Sequence, residues 1–407
     1  MDACIWPKNI DDKVITTGLG AWEINHLSFC KPENAHKNPV VFIGGAFQKF
    51  ASFRKEVEHL WEDFPVILLD LPGQGGNKQS GKAMGFKDYG DLVAQWMDRQ
   101  EIVKISAIAS SYGSAIGFYL ASRHPERVDK LILAGTTPKL RSSVKMLLEE
   151  SLRELEKGDM SVFSEGVVLT LLNYSKRKLI KGSGVLRRGL HRSIRELTYE
   201  DCRNYIENTR RLLDLDDLGG EVHCETLVLA GEWDNFTTPW EGFSVSKHCT
   251  RSIFGVVRDT DHLGPYEKKD LANKIYRHFL LGESLEQVQD LELFRGESYP
   301  KKLRQMEPRY LLNGAVRFEN SRGEAIPAII EDINIYGCRI SCNEQLKEGE
   351  FYQLHLTEEN LVMPVVLFGS DENGLKGLFL HCNLKRAKSL ESYVNRVAKN
   401  DLSSLVC

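Results

Sequence analysis

The feature that most constrains the fold is a series of short, continuously apolar runs that alternate with longer amphipathic stretches between Val40 and about His278. A run that is apolar at every position is typical of a parallel strand covered on both faces, and helical stretches between such runs indicate β-α-β units. The sequence therefore predicts an α/β domain over residues 1–285. Its predicted core strands are Val40–Ile43, Val66–Leu69, Ile105–Ile108, Leu131–Ala134 and Thr226–Leu229.

Between residues 137 and 219 the alternation stops and only helical periodicity remains. We interpret this segment as a helical cap inserted over the sheet. Its predicted parts are, in order, a helix over Val144–Leu155, a helix over Phe163–Leu172, a basic link over Lys176–Arg195 and a helix over Leu197–Leu213.

The pattern changes after Leu281, where an acidic stretch leads into residues 286–300, which we interpret as a linker. From 301 to 407 the apolar runs are short, alternate with polar residues and are separated by Gly, Asn or Glu, which predicts a small antiparallel β-barrel. A C-terminal helix is predicted from Leu384 to Val397. The predicted barrel strands are Ala315–Phe318, Ile326–Ile335, Arg339–Ser341, Phe351–Leu356, Val362–Phe368 and Leu375–Phe379.

Composition and charge narrow the range of functions. The 57 acidic and 53 basic residues give a net charge of −4, which argues against general affinity for nucleic acid. No run approaches the roughly 18 apolar residues of a transmembrane helix, and the first residues do not resemble a signal peptide. The nine cysteines never form Cys-x-x-Cys. We therefore expect reduced thiols in a cytoplasmic protein with no transmembrane segment, metal site or cofactor.

A candidate nucleophile follows the third predicted strand directly. Ser111 lies in Ala109-Ser110-Ser111-Tyr112-Gly113, where a strand is followed by a helix start. A serine on such a sharp, strained turn needs small neighbours two residues to either side, and Ala109 and Gly113 supply them. Alanine replaces the first glycine of the Gly-x-Ser-x-Gly pattern. The alternative is an ordinary serine at a helix N-terminus.

The partners of a serine nucleophile follow later in the chain. Asp234 comes after the strand that begins at Thr226, and His262 comes after a further apolar run. The order Ser, Asp, His is that of the α/β-hydrolase triad, in which the serine attacks an acyl carbonyl, the histidine transfers the proton and the aspartate fixes the imidazole tautomer. Asp261 is the alternative orienting residue. As the immediate neighbour of His262, it is poorly placed to reach the far ring nitrogen.

An oxyanion site needs two backbone N–H groups directed at the developing negative charge. Tyr112 supplies one in the predicted arrangement, and the loop Gly44-Gly45-Ala46-Phe47 supplies the other. Ala46 and Phe47 are both candidates. Glycines in this loop let the backbone approach a substrate, although a glycine pair at a strand end also forms ordinary turns.

Residues from about Val14 to Leu281 resemble the α/β-hydrolase superfamily. Within it they look most like the acyltransferase of rhamnolipid biosynthesis, an enzyme that joins two 3-hydroxyacyl chains by an ester bond. The resemblance implies a bacterial enzyme that takes 3-hydroxyacyl groups from acyl carrier protein or coenzyme A, acylates Ser111 and makes a biosurfactant-type lipid precursor. The phrases that carry it are Gly44-Gly45-Ala46, Ala51-Ser52-Phe53, Leu69-Asp70-Leu71-Pro72, Ala109-Ser110-Ser111-Tyr112-Gly113, Trp233-Asp234-Asn235-Phe236-Thr237-Thr238 and Thr260-Asp261-His262.

An ester-forming enzyme must keep water away from its acyl intermediate, and the cap over 137–219 could serve this purpose. The cap also carries a group of basic residues. They either steer an acidic carrier protein or the phosphates of coenzyme A, or simply form a solvated face. These residues are Lys176, Arg177, Lys178, Lys181, Arg187, Arg188 and Arg192.

The segment from about Lys301 to Lys388 resembles the PilZ domain, a small barrel that binds cyclic di-GMP. Two phrases carry the resemblance, Gln305-Met306-Glu307-Pro308-Arg309 and Asp332-Ile333-Asn334-Ile335-Tyr336-Gly337, with asparagine where the family usually has serine. Guanidinium groups can clamp phosphate and bind the guanine edge. The alternative is that these residues are linker charges and a strand-end turn. The candidate ligands of cyclic di-GMP are Arg304, Gln305, Arg309, Asp332, Asn334 and Gly337.

Three hypotheses follow from these motifs. The leading one is a cytoplasmic serine acyltransferase that joins 3-hydroxyacyl chains and is regulated by cyclic di-GMP through the PilZ-like domain. The second is a serine carboxylesterase or thioesterase with the same regulatory domain. The third is a non-catalytic cyclic di-GMP receptor on a hydrolase-like fold.

Overall fold

A computed structural model describes residues 6–296, 299, 307–344, 346–356, 360–371, 374–381 and 383–404. The chain divides into two compact units, one made of residues 1–140 with 171–301 and the other of residues 141–170 with 302–407. A mixed sheet forms the centre of the first unit, and a closed antiparallel barrel forms the centre of the second. The predicted α/β and antiparallel-barrel classes are therefore confirmed.

Within the described residues, the sheet of the first unit has nine strands in the order β1-β2-β4-β3-β5-β6-β7-β8-β9. The six strands from β4 to β8 are parallel, and β1, β2 and β9 add antiparallel edges. All five predicted core strands lie in the parallel part. The strands are β1 (Ile15–Leu19), β2 (Trp22–Phe29), β3 (Val40–Ile43), β4 (Val66–Asp70), β5 (Ile105–Ser110), β6 (Val128–Ala134), β7 (Val222–Gly231), β8 (Cys249–Val257) and β9 (Leu291–Phe294).

Helices cover both faces of this sheet, which explains its continuously apolar strands. The helices of the chain are α1 (Arg54–Leu60), α2 (Phe86–Arg99), α3 (Tyr112–Arg123), α4 (Ser142–Glu156), α5 (Met160–Leu171), α6 (Ser183–Arg195), α7 (Tyr199–Leu213), α8 (Pro239–Ser246), α9 (Gly264–Glu267), α10 (Lys269–Leu281) and α11 (Leu384–Ser404). Side chains of α1 and α10 share one buried cluster with Phe42 and Ile108. On the opposite face, α3 approaches Ala109 and Leu133 through Gly117.

In the part of the second unit that the structure describes, the barrel has six antiparallel strands in the order β10-β11-β12-β15-β14-β13, and pairing of β13 with β10 closes it. The alternating burial of these strands fits a wall with one face toward a core. All six predicted barrel strands are present. They are β10 (Tyr310–Glu319), β11 (Ala325–Ile333), β12 (Gly337–Ser341), β13 (Phe351–Leu356), β14 (Leu361–Asp371) and β15 (Gly374–Phe379).

Two segments differ from the sequence-based expectation. The predicted basic link contains α6, because Leu186, Leu190 and Ile194 recur at helical spacing after the left-handed Gly182. The predicted linker over 286–300 contains β9, which pairs with β8.

The cap segment is divided between the two units. Residues 141–170, which carry α4 and most of α5, belong to the unit that contains the barrel. Within that unit the guanidinium carbon of Arg153 lies 3.8 Å from the ring centroid of Phe351, and the backbone N–H of Leu384 donates to Glu165 Oε2 at 2.8 Å. A predicted part of the hydrolase cap is thus attached to the barrel.

Across the described residues, no helix has both the length and the apolar character needed to span a bilayer.

Candidate active site

Ser111 occupies a strained turn between β5 and α3. Its φ of 50° and ψ of −119° lie outside the regions that residues with a side chain usually adopt. A Cβ added at Gly113 would lie 2.5 Å from the carbonyl oxygens of Ile43 and Gly44. Glycine at this position therefore allows the turn to pack against the end of β3 and to hold the Ser111 side chain at the carboxyl end of the parallel strands.

The alanine that replaces the usual first glycine of the motif also has a local explanation. Ala109 is fully buried on β5, and a Cβ added at Gly117 of α3 would lie 2.6 Å from the Ala109 Cβ. The missing side chain at Gly117 makes room for the methyl group of Ala109. The sequence departs from the motif without changing the strand-to-helix turn.

Ser111, His262 and Asp234 form a continuous hydrogen-bonded array. Ser111 Oγ lies 2.9 Å from His262 Nε2, and His262 Nδ1 lies 2.9 Å from Asp234 Oδ2. The side chains of His262 and Asp234 are 1% and 0% exposed. The three residues come from the ends of β5, β8 and β7, and the array has the geometry of a nucleophile, a base and an orienting carboxylate.

Three donors near Asp234 hold its carboxylate in place. Its Oδ1 accepts hydrogen bonds from the backbone N–H groups of Phe236 and Thr237 at 2.9 and 2.8 Å, and its Oδ2 accepts one from Thr237 Oγ1 at 2.8 Å. Thr237 Oγ1 also lies 3.0 Å from His262 Nδ1. Sequence reasoning gave Thr237 no role, although it belongs to the quoted phrase that begins at Trp233.

The environment of His262 makes it a stronger base. Burial lowers the pKa of the imidazole, but the charge and the hydrogen bond of Asp234, with a smaller contribution from the charge of Asp261, together raise this pKa above the ordinary value of 6.5. A base with a raised pKa holds the transferred serine proton more firmly.

Asp261, the alternative orienting residue, forms different contacts. Its Oδ2 accepts from the backbone N–H of Asn173 at 2.9 Å, and its Oδ1 accepts from that of Leu263 at 3.1 Å. Its own N–H donates to Glu267 Oε2 at 2.9 Å. Burial raises the pKa of both carboxyl groups, and the charge of Asp261 further raises that of Glu267. The buried Asp261 and the partly buried Glu267 form an acid pair that holds the loop carrying His262.

This acid pair predicts an effect on stability. Because the pKa of Glu267 is raised from 4.5 to about 8 in the folded state, the folded protein binds this proton more tightly than the unfolded chain does. The stability that the proton contributes is therefore present below pH 4.5 and is lost as the pH rises toward about 8. Glu267→Gln mimics the protonated acid. We expect the free energy of unfolding of the variant, relative to that of the original protein, to increase by on the order of 1–2 kcal/mol from pH 5 to pH 9.

Urea unfolding at pH 5, 7 and 9 measures this gain, with Glu286→Gln on the exposed surface as the control. A stability difference for Glu267→Gln that stays the same at all three pH values would contradict the prediction.

The candidate oxyanion donors surround Ser111. A Cβ added at Gly45 would lie 3.2 Å from Ser111 Cβ, so the loop after β3 directly adjoins the serine. Within the described part of the chain, the N–H groups of Ala46 and Phe47 donate to no backbone acceptor. Tyr112 is the first residue of α3, and its N–H has no intrahelical acceptor. Tyr112 and the loop with Ala46 and Phe47 therefore lie on either side of the Ser111 turn. Both Ala46 and Phe47 remain candidates for the second oxyanion donor.

A buried arginine supports the helix that begins at Tyr112. Arg211 of α7 is 7% exposed, and its guanidinium donates to Tyr112 Oη, Asn208 Oδ1 and the carbonyl oxygens of Gly81 and Met84. Arg211 was not predicted from the sequence, because two of its four partners are backbone atoms and three of the four lie 99 or more positions away. Arg211 connects part of the cap to the base of the nucleophile turn.

The barrel unit brings together part of the predicted nucleotide site. The Arg309 guanidinium pairs with Asp332 Oδ1, and Arg339 Nη1 lies 3.9 Å from Asp332 Oδ2. Asn334 Oδ1 accepts from the N–H groups of Tyr336 and Gly337 at 2.9 Å each. A Cβ at Gly337 would lie 2.2 Å from the carbonyl oxygen of Gly377. The other two candidates, Arg304 and Gln305, lie outside the described residues.

The sheet, the strained Ser111 turn and the buried array define the class of the first unit. It has the α/β-hydrolase fold, and the chain is an enzyme with an acyltransferase or hydrolase role. Comparison with known proteins supports this assignment, since a family model described as the alpha/beta hydrolase fold matches residues 38–160.

Two curated relatives are similar over most of their own length. The (R)-3-hydroxydecanoyl-ACP:CoA transacylase of Pseudomonas putida is 23% identical over 61% of this chain and 84% of its own. A 2-hydroxy-6-oxononadienedioate/2-hydroxy-6-oxononatrienedioate hydrolase of Escherichia coli K12 is 23% identical over 57% of this chain and 82% of its own. The resemblance to acyl-transferring α/β-hydrolases thus has support at low identity.

A solved structure shows the same fold. An alpha/beta hydrolase enzyme from a Medee basin deep-sea metagenome library superposes with a TM-score of 0.59 at 15% identity and covers 68% of this chain and 100% of its own.

Proposed function

We propose that this chain is a bacterial, cytoplasmic serine acyltransferase that takes 3-hydroxyacyl groups from acyl carrier protein or coenzyme A and joins them to a second 3-hydroxyacyl chain by an ester bond. The observation that carries the proposal is the buried array of Ser111, His262 and Asp234. The choice of substrate is supported by the similarity to a transacylase named for 3-hydroxydecanoyl groups.

In the proposed reaction, Ser111 Oγ attacks the thioester carbonyl carbon while His262 Nε2 accepts the serine proton. The oxyanion is stabilised by the N–H of Tyr112 and that of Ala46 or Phe47. The C–S bond then breaks, and the carrier thiol leaves with the proton from His262. The 3-hydroxyl of the acceptor chain next attacks the acyl-serine ester, His262 takes its proton and returns it to Ser111, and the new ester is released.

The second candidate function is hydrolysis of an ester or thioester by the same residues. It is favoured by the similarity to the E. coli hydrolase. The two functions differ only in whether a hydroxyacyl chain or water attacks the acyl-serine. Product analysis therefore separates them, whereas kinetics of thiol release does not.

The test incubates the full chain with 3-hydroxydecanoyl carrier-protein thioester and identifies the products by mass spectrometry. We expect an ester-linked dimer of hydroxyacyl chains in excess of free 3-hydroxydecanoic acid. Free acid with no dimer would overturn acyl transfer in favour of the hydrolase. An unchanged thioester would contradict both candidate functions for this substrate class.

We further propose that cyclic di-GMP binds the barrel and regulates the enzyme. Arg309 and Arg339 provide two guanidinium groups beside Asp332, a combination suited to a phosphate and a guanine edge. Asn334 Oδ1 closes the turn that leads to Gly337, a role that the shorter serine of the family can also fill.

The connection of α4 and α5 with the barrel unit supports a route for such regulation. Both helices are inserted in the sequence of the hydrolase, between β6 and β7, yet Arg153 and Glu165 contact the barrel strand β13 and the start of α11. A ligand that changes the conformation of the barrel would therefore also affect α4 and α5, which are joined through the chain to β6 and β7 of the first unit. Regulation requires that the nucleotide bind these arrangements with different affinity.

Nucleotide binding is tested by calorimetry with Arg309→Ala. We expect this variant to weaken cyclic di-GMP binding at least about tenfold, because a hydrogen bond to a charged group contributes on the order of 1.5–3 kcal/mol. Arg317→Ala is the matched control, since Arg317 is an exposed arginine of the same barrel that pairs with Glu319. Equal affinity in the Arg309 and Arg317 variants would contradict the proposed site.

A further inference from the structure

The loop after β4 contains a buried amide oxygen that has no hydrogen-bond partner within the described residues. Gln74 is 5% exposed, and its Nε2 donates to the carbonyl oxygen of Gly44 at 3.1 Å. A carbonyl oxygen can only accept, so this contact fixes which end of the amide is nitrogen. Among the described residues, Oε1 is therefore a buried acceptor without a donor. Such groups are costly and call for a ligand or water that supplies the donor.

Gln74 lines a cleft that also contains the candidate oxyanion loop. The walls of this cleft include Ala46, Phe47 and Gln74. Asn204 and Asn208 of α7 add polar groups, while the rings of Phe47 and Tyr205 stack at a centroid distance of 5.1 Å. The cleft thus places amide groups and an aromatic surface beside the oxyanion loop.

The order of the strands indicates which part of the reaction this cleft serves. Along the sheet, Gln74 follows β4, the oxyanion loop follows β3, Ser111 follows β5 and His262 follows β8. Gln74 and His262 therefore lie on opposite sides of Ser111. The attacking hydroxyl must approach His262, which takes its proton, so the cleft beside Gln74 is available for the acyl group already bound to Ser111.

We propose that Gln74 Oε1 accepts a hydrogen bond from the 3-hydroxyl of the bound acyl group, so that the cleft selects 3-hydroxyacyl over unsubstituted acyl chains. The inference rests on the proposed use of 3-hydroxyacyl donors. The hydroxyl-bearing carbon is two bonds from the reacting carbonyl, which places the hydroxyl close to the oxyanion loop. Gln74 is then a specificity-determining residue that takes no part in proton transfer.

The test compares matched donors with and without the hydroxyl. 3-Hydroxydecanoyl-CoA and decanoyl-CoA are assayed by release of the coenzyme A thiol, and p-nitrophenyl 3-hydroxybutyrate and p-nitrophenyl butyrate by release of nitrophenol. We expect the original protein to prefer the hydroxylated member of each pair. In Gln74→Met, which keeps the volume but removes the acceptor, we expect kcat/KM to fall about tenfold for the hydroxylated donor and to change little for the other.

A structural role for Gln74 gives a different result. Gln74→Met also loses the contact with Gly44, which would lower the rates of both donors equally. Asn77→Ser is the control, because Asn77 Nδ2 holds the same loop through the carbonyl oxygens of Asp70 and Glu23 but does not line the cleft. An equal loss for both donors in the Gln74 and Asn77 variants would overturn the proposal, as would equal kcat/KM values for each pair in the original protein.

The reaction products distinguish failure of the proposed acyltransferase from failure of the proposed subsite. A selective hydrolysis of the hydroxylated donors that depends on Gln74, without any ester-linked dimer, would support the subsite and contradict the proposed acyltransferase. Dimer formation without donor selectivity would support the acyltransferase and contradict the subsite.

Discussion

Ser111→Ala is expected to lower kcat for acyl release by about 10⁵-fold or more, because the acyl-enzyme can no longer form. The buried His262 and Asp234 cannot substitute for the missing nucleophile. The remaining rate reflects direct attack on a donor held by the oxyanion N–H groups. The measurement is release of coenzyme A from 3-hydroxydecanoyl-CoA, with the acyl-enzyme followed by intact mass spectrometry.

Ser110→Ala is the matched control for this experiment. Ser110 is the neighbouring serine at the end of β5, and among the described residues the hydrogen bond to His262 Nε2 comes from Ser111, so replacement of Ser110 should change the rate by less than about tenfold. Alanine at 111 retains the Cβ and the backbone of the turn, so both variants should fold. A Ser111→Ala protein that still acquires the mass of one acyl group would contradict the assignment of the nucleophile.

The parallel strands could be predicted because their signal is local. β3, β4, most of β5 and the later parts of β6 and β7 are buried on both faces, so each appears in the sequence as an uninterrupted apolar run. β1, β2 and β9 carry no such run, because as antiparallel strands at or near the edges they have exposed and half-buried positions. Their pairing depends on the strand beside them, which a single run of residues does not specify.

The division of the cap could not be predicted for a similar reason. An amphipathic helix shows that it has an apolar face, but its sequence does not say which surface covers that face. The patterns of α4 and α5 predicted helices correctly. Their membership of the barrel unit depends on contacts such as Arg153 with Phe351, which are nearly 200 residues apart.

The residues of the array were visible in the sequence because chemistry limits them to a few types in a known order. The residues that support the array could not be identified from the sequence. Glu267, Arg211 and Gln74 act through partners that are backbone atoms or distant side chains, so no spacing marks them. The quoted phrase from Trp233 to Thr238 was the only signal that could have singled out Thr237, which donates to Asp234.

Replacing the two candidate orienting aspartates should have very different effects. In Asp234→Asn the side-chain oxygen can still accept from the N–H groups of Phe236 and Thr237, which turns the amide NH₂ toward His262 Nδ1. His262 must then carry its proton on Nε2 and cannot accept one from Ser111. We expect kcat to fall by about 10⁴-fold. In Asp261→Asn the acceptor for Asn173 or Leu263 is retained, and we expect less than about a tenfold loss.

The pH dependence provides an independent measure of the same assignment. In the original protein kcat/KM should rise with pH through a pKa above 6.5, because His262 must be neutral to act as a base and the charge of Asp234 outweighs the effect of burial. Without that charge, burial prevails, so Asp234→Asn should move the midpoint of the profile to lower pH. Asp261→Asn should move it in the same direction but by less, because Asp261 contributes least to the raised pKa. A larger rate loss and a larger shift in Asp261→Asn than in Asp234→Asn would identify Asp261 as the orienting residue instead.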